Sequence, residues 1–94
     1  MRYQLATWRP GPDWKPNSGS LQARGVVCHS AVGYEAGLYS VLDGPTRASW
    51  HFSVLYDGRV IQHYEIDDQC WHAQAANAFT IGIEHEGGYD PEDE

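Results

Sequence analysis

The stretch GVVCHSAVG, Gly25–Gly33, decides the fold. Val26 and Val27 are a β-branched pair suited to a buried strand, expected over Val26–Ser30. His29 follows, then small residues to Gly33. A histidine leaving a buried strand, with small residues beyond it, places a reactive side chain over a cleft on a rigid frame. Downstream, Tyr34–Leu42 has helical spacing, with Tyr34, Leu38, Val41 and Leu42 on one stripe. Asp43, Gly44 and Pro45 stop it, Gly just past the end and Pro beyond. Two β-rich runs, Trp50–Leu55 and Val60–Glu65, are joined across Asp57 and Gly58, a pair that fits a type I′ hairpin turn. A loop over Asp67–Asn77, with a helical turn in Ala73–Asn77, leads to a last strand, Thr80–Glu86. Alternation puts Ile81 and Ile83 on one face of that strand and Gly82, Glu84 and Glu86 on the other. Upstream, Met1–Arg24 is rich in Pro, Gly and polar residues and reads as an irregular lead-in over the domain surface.

These elements define an α/β chain: a small mixed β-sheet with a β-hairpin and one or two helices. The expected divisions are a lead-in over 1–24, a core over 25–88 and an acidic, solvated tail over 89–94. With one good helix, the sheet edges and at least one face are left under-covered, whereas a complete domain packs two layers. At 94 residues the chain is at most one domain, and it buries only about 60% of its unfolded surface.

A formal net charge of −7, with no cluster of Lys or Arg, argues against nucleic acid and against a basic membrane-surface helix. No apolar run reaches transmembrane length, and no apolar segment of a signal peptide follows Met1. The two cysteines, Cys28 and Cys70, are then expected as reduced, partly buried thiols rather than a disulfide.

Five histidines, His29, His51, His63, His72 and His85, are many for this length, and imidazole is a common zinc ligand. No close pair such as HExxH is present, so for any single one of them an ordinary core or surface role is the plainer reading. Glu84 and Glu86 share a strand face. Either could be a general base with a raised pKa, and either could be a solvated carboxylate. Gly82 between them and the preceding loop leaves room for a ligand or another backbone to approach. Trp50, Trp71 and Tyr64, beside His51, His72 and His63, could line a sugar or peptide platform or an ordinary core edge. Cys28 faces away from His29 and has no marked base.

In chain order, the segments VVCHSAVG, the helix with LDGP, ASWHFSVLYDGRVIQHY, CWHAQAAN and TIGIEHEGG resemble one family. It is the zinc-dependent N-acetylmuramoyl-L-alanine amidases of the type-2 amidase and peptidoglycan-recognition-protein group. Phage endolysins of actinobacterial hosts look especially similar. The likeness covers Gly25 to Gly88. It implies an amidase-like fold, a Zn2+ cofactor and peptidoglycan as partner. It implies that His29 is the first zinc ligand and Glu84 the catalytic acid or base. It places Trp50, His51, Trp71 and His72 in substrate binding. Trp50 stands where other members have a Tyr near the metal, and an indole cannot exchange a proton usefully. His51 is a recurrent position, structural or near the metal, and Trp71 and His72 form the groove wall. The implied reaction is metal-assisted hydrolysis of the amide between muramic acid and L-alanine.

The family's two further zinc ligands, a His and a Cys or Asp, follow the IGIEHEG strand, as does a Lys near the metal. This chain stops at Glu94, so the resemblance implies an incomplete domain whose remaining ligands belong to a C-terminal segment. The alternatives are a non-catalytic peptidoglycan-binding module and an inactive fragment that self-associates through its uncovered sheet. A chain with no signal peptide suits a lysin acting on the bacterial wall, and equally a cytoplasmic amidase.

Overall fold

The computed structural model describes residues 1–30 and 33–87. The tail expected over 89–94 lies outside them. Five strands form one mixed sheet: β1 (Thr7–Trp8), β2 (Gly25–Ser30), β3 (Phe52–Val54), β4 (Val60–Gln62) and β5 (Thr80–His85). Their order across the sheet is β1-β4-β3-β5-β2. Helix α1 (Glu35–Leu42) follows β2, and a 3-10 helix, Gln74–Ala78, precedes β5. The mixed sheet and the helix agree with the architecture expected from the sequence. The lead-in adds a strand that the sequence does not announce, because Thr7 and Trp8 are placed by backbone pairing to the distant Ile61 and Gln62.

The longest pairing is β2 alongside β5, parallel over six residues from Gly25↔Thr80 to Ser30↔His85. β5 also runs parallel to β3, and β3 is antiparallel to β4. One row across the sheet therefore reads His29, Glu84, Ser53, Ile61. The next row, Cys28, Ile83 and Phe52, faces the other way. On that second face Val26 is 54% exposed. Cys28 is also exposed rather than partly buried, because β2 is an edge strand and this residue points to the second face.

Helix α1 packs Leu38 and Leu42 onto Trp50, Leu55, Ile61, Tyr64 and Cys70, and this cluster is the core. The apolar stripe is narrower than its spacing suggests, because Tyr34 and Val41 are exposed. Both helix ends are satisfied by distant residues. No side chain of the cap residue Tyr34 bonds the first turn. The Glu86 carboxylate does so instead, accepting from the Glu35 amide at 2.5 Å and the Tyr56 amide at 2.8 Å. Glu86 is thus a cap rather than a solvated carboxylate. At the other end Gly44 does not take the left-handed conformation expected of it. It serves by close approach, since a Cβ there would lie 3.0 Å from the Ser40 carbonyl oxygen.

The hairpin turn differs from type I′. Gly58 has φ +89°, but Asp57 is not left-handed. The Gly58 amide bonds the Leu55 carbonyl at 2.9 Å, and Leu55 N–H reaches the Arg59 carbonyl at 3.0 Å. That is a type I turn followed by a glycine bulge, and it spends one more residue than a two-residue loop. The strands are shorter than their β-rich runs, β3 ending at Val54 and β4 at Gln62.

Leu42 is fully buried while Val41 is 52% exposed. Leu42→Ala should cost about 2–5 kcal/mol by urea denaturation, and Val41→Ala less than about 1 kcal/mol. Equal effects would mean that α1 is rotated from the position described.

Candidate active site

The β2–β5 register sets His29 directly beside Glu84. His29 Nε2 lies 3.1 Å from His72 Nδ1, and His72 Nε2 lies 3.3 Å from the Thr80 carbonyl. The hydrogen-bond network assigns the protons: His72 donates from Nε2 and His29 donates from Nε2. His29 Nδ1 then keeps an open lone pair, with no partner among the described residues. The room left by Gly82 is filled by the His72 ring, since a Cβ on Gly82 would sit 2.6 Å from His72 Cγ.

The loop carrying His72 is held by Asn77, whose Oδ1 accepts from the His72 amide at 2.9 Å and the Ala73 amide at 2.7 Å. Sequence reasoning missed Asn77. The signal available was a polar residue inside an Ala-rich turn, positioned to satisfy amides that the turn leaves open.

A groove of about 420 Å³ opens over this face. Trp50, Trp71, His72 and Glu84 all line it. His29 stands behind His72 and beside Glu84. His51 is apart from the groove. It is fully buried, its Nδ1 accepting the Gly82 amide at 3.0 Å and its Nε2 donating to the Asp68 carbonyl at 2.6 Å. Both ring nitrogens are spent on backbone, so His51 welds the start of β3 to β5 rather than facing a ligand.

Trp50 donates its indole N–H to Ser53 Oγ at 2.9 Å, and Ser53 pairs with His63 Nε2 at 2.7 Å. His63 Nδ1 donates in turn to the Arg9 carbonyl at 2.8 Å. This Ser–His pair has the spacing of a nucleophile and its base, but both residues are fully buried, so no substrate reaches it. Trp71 carries the Arg47 guanidinium 4.1 Å above its ring.

Electrostatics follow from burial. Desolvation raises the Glu84 pKa, only partly offset by His29 and His85. A carboxyl that keeps its proton to higher pH can give it as well as take it. Burial lowers the pKa of His51, and of His72 with help from His29 and His51. Burial also pushes the Cys70 thiol well up, so it is inert. Among the described residues no three His, Cys, Asp or Glu side chains converge to hold a metal. A catalytic zinc needs three protein ligands, so the donors present do not by themselves fit one.

The sequence pattern of the family described as N-acetylmuramoyl-L-alanine amidase matches residues 19–94. The chain is 34% identical over 84 residues to N-acetylmuramoyl-L-alanine amidase A of Achromobacter lyticus, covering 87% of this chain and 48% of that protein. It therefore spans about half the length of this curated relative. The fold is shared with the endolysin LysCS from Clostridium intestinale, with TM-score 0.72 and 18% identity over 96% of this chain and 62% of that one. A mutant endolysin from Bacillus subtilis gives TM-score 0.70 and 22% identity over 88% of this chain and 61% of that one. A small α/β domain with a groove on one sheet face thus shares its fold with these endolysins. The chain is a member of the N-acetylmuramoyl-L-alanine amidase family.

Two outcomes are expected. Gly82→Ala should displace His72, break its contact with His29 and cost about 1–3 kcal/mol by overpacking. The histidine ring NMR signals of His29 and His72 should both move, and unmoved signals would contradict the packing described. The second outcome concerns acid. Burial lowers the His63 pKa from 6.5 to about 4. The unfolded chain binds that proton first, so stability is full above pH 6.5 and falls as pH drops toward 4. The loss from this one group is on the order of 3 kcal/mol. Lowered His51 and His72 add to it, and the raised Glu84 works in the opposite sense. Urea midpoints at graded pH should show this slope, and His63→Gln should flatten it.

Proposed function

We propose that this chain carries the groove and proton-transfer half of a zinc-dependent amidase. That enzyme hydrolyses the bond between muramic acid and L-alanine in peptidoglycan, and so acts on the bacterial wall. The observation that carries the reading is Glu84, half-buried and with a raised pKa, on the groove floor directly beside His29. Family membership supplies the reaction class.

In this reading Trp50 and Trp71 flank the substrate, and Glu84 moves the proton. Water adds to the lactyl carbonyl carbon while Glu84 takes its proton. Glu84 then delivers that proton to the amide nitrogen as the C–N bond breaks, and the acid proton of the new muramyl carboxyl passes to the departing amine, leaving a muramyl carboxylate and an alanyl ammonium. His29, with Nδ1 open, is the one zinc ligand we assign. The zinc dependence proposed here draws its other donors from outside the described residues, because those described close no three-donor group.

A second reading, a wall-binding module without turnover, is favoured by the same lack of a three-donor group among the described residues together with an aromatic-lined groove. No helix of the described residues is long and apolar enough to cross a membrane.

Supplying the C-terminal segment of a family member should restore near-stoichiometric zinc, read by elemental mass spectrometry, and release of peptides with a free L-alanine terminus. Glu84→Gln in that assembly should lower release about 10²–10⁴-fold. A zinc-loaded assembly that retains peptidoglycan without cleaving it, with retention lost in Trp71→Ala, would favour the binding module.

A further inference from the structure

Lys15 is fully buried, yet no carboxylate pairs with it among the described residues. Its three ammonium protons are matched by three carbonyl oxygens: Val41 at 3.3 Å, Leu42 at 2.5 Å and Ala48 at 3.0 Å. Two of these belong to the last turn of α1, where a cation also meets the negative end of the helix dipole. The third belongs to the segment entering Trp50. Val41, Ala48 and Trp50 all line the groove. One side chain therefore ties the end of α1 to the segment entering Trp50, two parts of the groove wall.

The backbone of the same segment reaches the opposite wall. The Lys15 carbonyl accepts from Arg47 Nε at 3.1 Å, and Asn17 Oδ1 accepts from the same guanidinium at 3.2 Å. That guanidinium lies over the ring of Trp71. Lys15 and Asn17 both precede the residues that match the family.

We propose that Lys15 is a positioning residue for the groove, fixing the Val41 and Ala48 wall against Trp71 so that substrate meets Glu84 in register. This rests on the groove being the substrate site. Lys15 touches neither the groove contents nor the reacting atoms, and it acts only through the carbonyls it holds.

The test compares Lys15→Met, which keeps the length of the side chain and removes the donors, with Lys15→Arg, which keeps the charge but cannot place three donors on the same oxygens. Each is studied at a temperature where circular dichroism shows it folded. Two readouts are taken on the 94-residue chain. The first needs no ligand: the indole N–H NMR signals of Trp50 and Trp71. Both should shift in Lys15→Met, and to a smaller degree in Lys15→Arg, while that of Trp8 stays in place. The second is retention on insoluble peptidoglycan, expected to weaken about three- to ten-fold in Lys15→Met. If Lys15→Met does not fold, Lys15→Arg decides by the same readouts. Indole signals unchanged in a folded variant, or retention unchanged while only the melting temperature falls, would make Lys15 a purely structural residue and overturn the proposal. If the unaltered chain is not retained at all, the functional reading fails instead, and the indole signals still decide whether Lys15 sets the groove.

Discussion

Everything at the site depends on one pairing, the six-residue parallel register of β2 with β5. Side chains alternate along a strand, so a slip of one residue would send every one of them to the other face. Here the register puts His29 and Glu84 in one row on the covered face, and Cys28 with Ile83 on the open one. His51 guards it from the side, because its ring bonds the Gly82 amide inside β5. Gly82 guards it from above by leaving the space that the His72 ring fills. The fold therefore spends three residues outside β2 on holding one histidine beside one acid.

The helix and loops around the groove are held in the same manner, by polar side chains matched to backbone, Lys15 and Asn77 buried and Glu86 half-buried. Lys15 meets three carbonyls, Glu86 two amides and Asn77 two amides. A small domain buries little apolar surface, and such matched contacts give its loops a single conformation without a larger core. Lys15 and Glu86 reach partners far away in sequence and so tie separate elements together, whereas Asn77 closes its own loop. The lead-in is a working part of the fold for this reason, although it forms only a two-residue strand.

Local chemistry made the elements legible. Val26–Val27, the Leu38 and Leu42 spacing, the Asp57–Gly58 turn and the alternation around Ile81 and Ile83 each point to the structure found. Its place at the end of a β-branched run singled out His29, family resemblance gave it and Glu84 their expected roles, and the fold sets the two side by side. Long-range polar contacts were not legible. Nothing in the sequence near Lys15 says that its ammonium meets the end of a helix 26 and 27 residues away. Nor does the sequence distinguish His51, spent on backbone, from His29, with an open nitrogen, because that difference is set by which face and which strand each occupies. The hairpin shows the limit of a dipeptide rule: Asp57 and Gly58 do turn the chain, but the bulge that sets strand length depends on Leu55 and Arg59 as well.

The most direct measurement is a titration of the isotopically labelled chain with a soluble muramoyl-L-alanyl peptide, followed by backbone amide NMR. The account predicts that the perturbed amides centre on Trp71, His72 and Glu84, and that those of Val26 and Cys28 stay in place. Perturbation centred on the open face of β2 instead, or none at millimolar peptide in a folded sample, would contradict it.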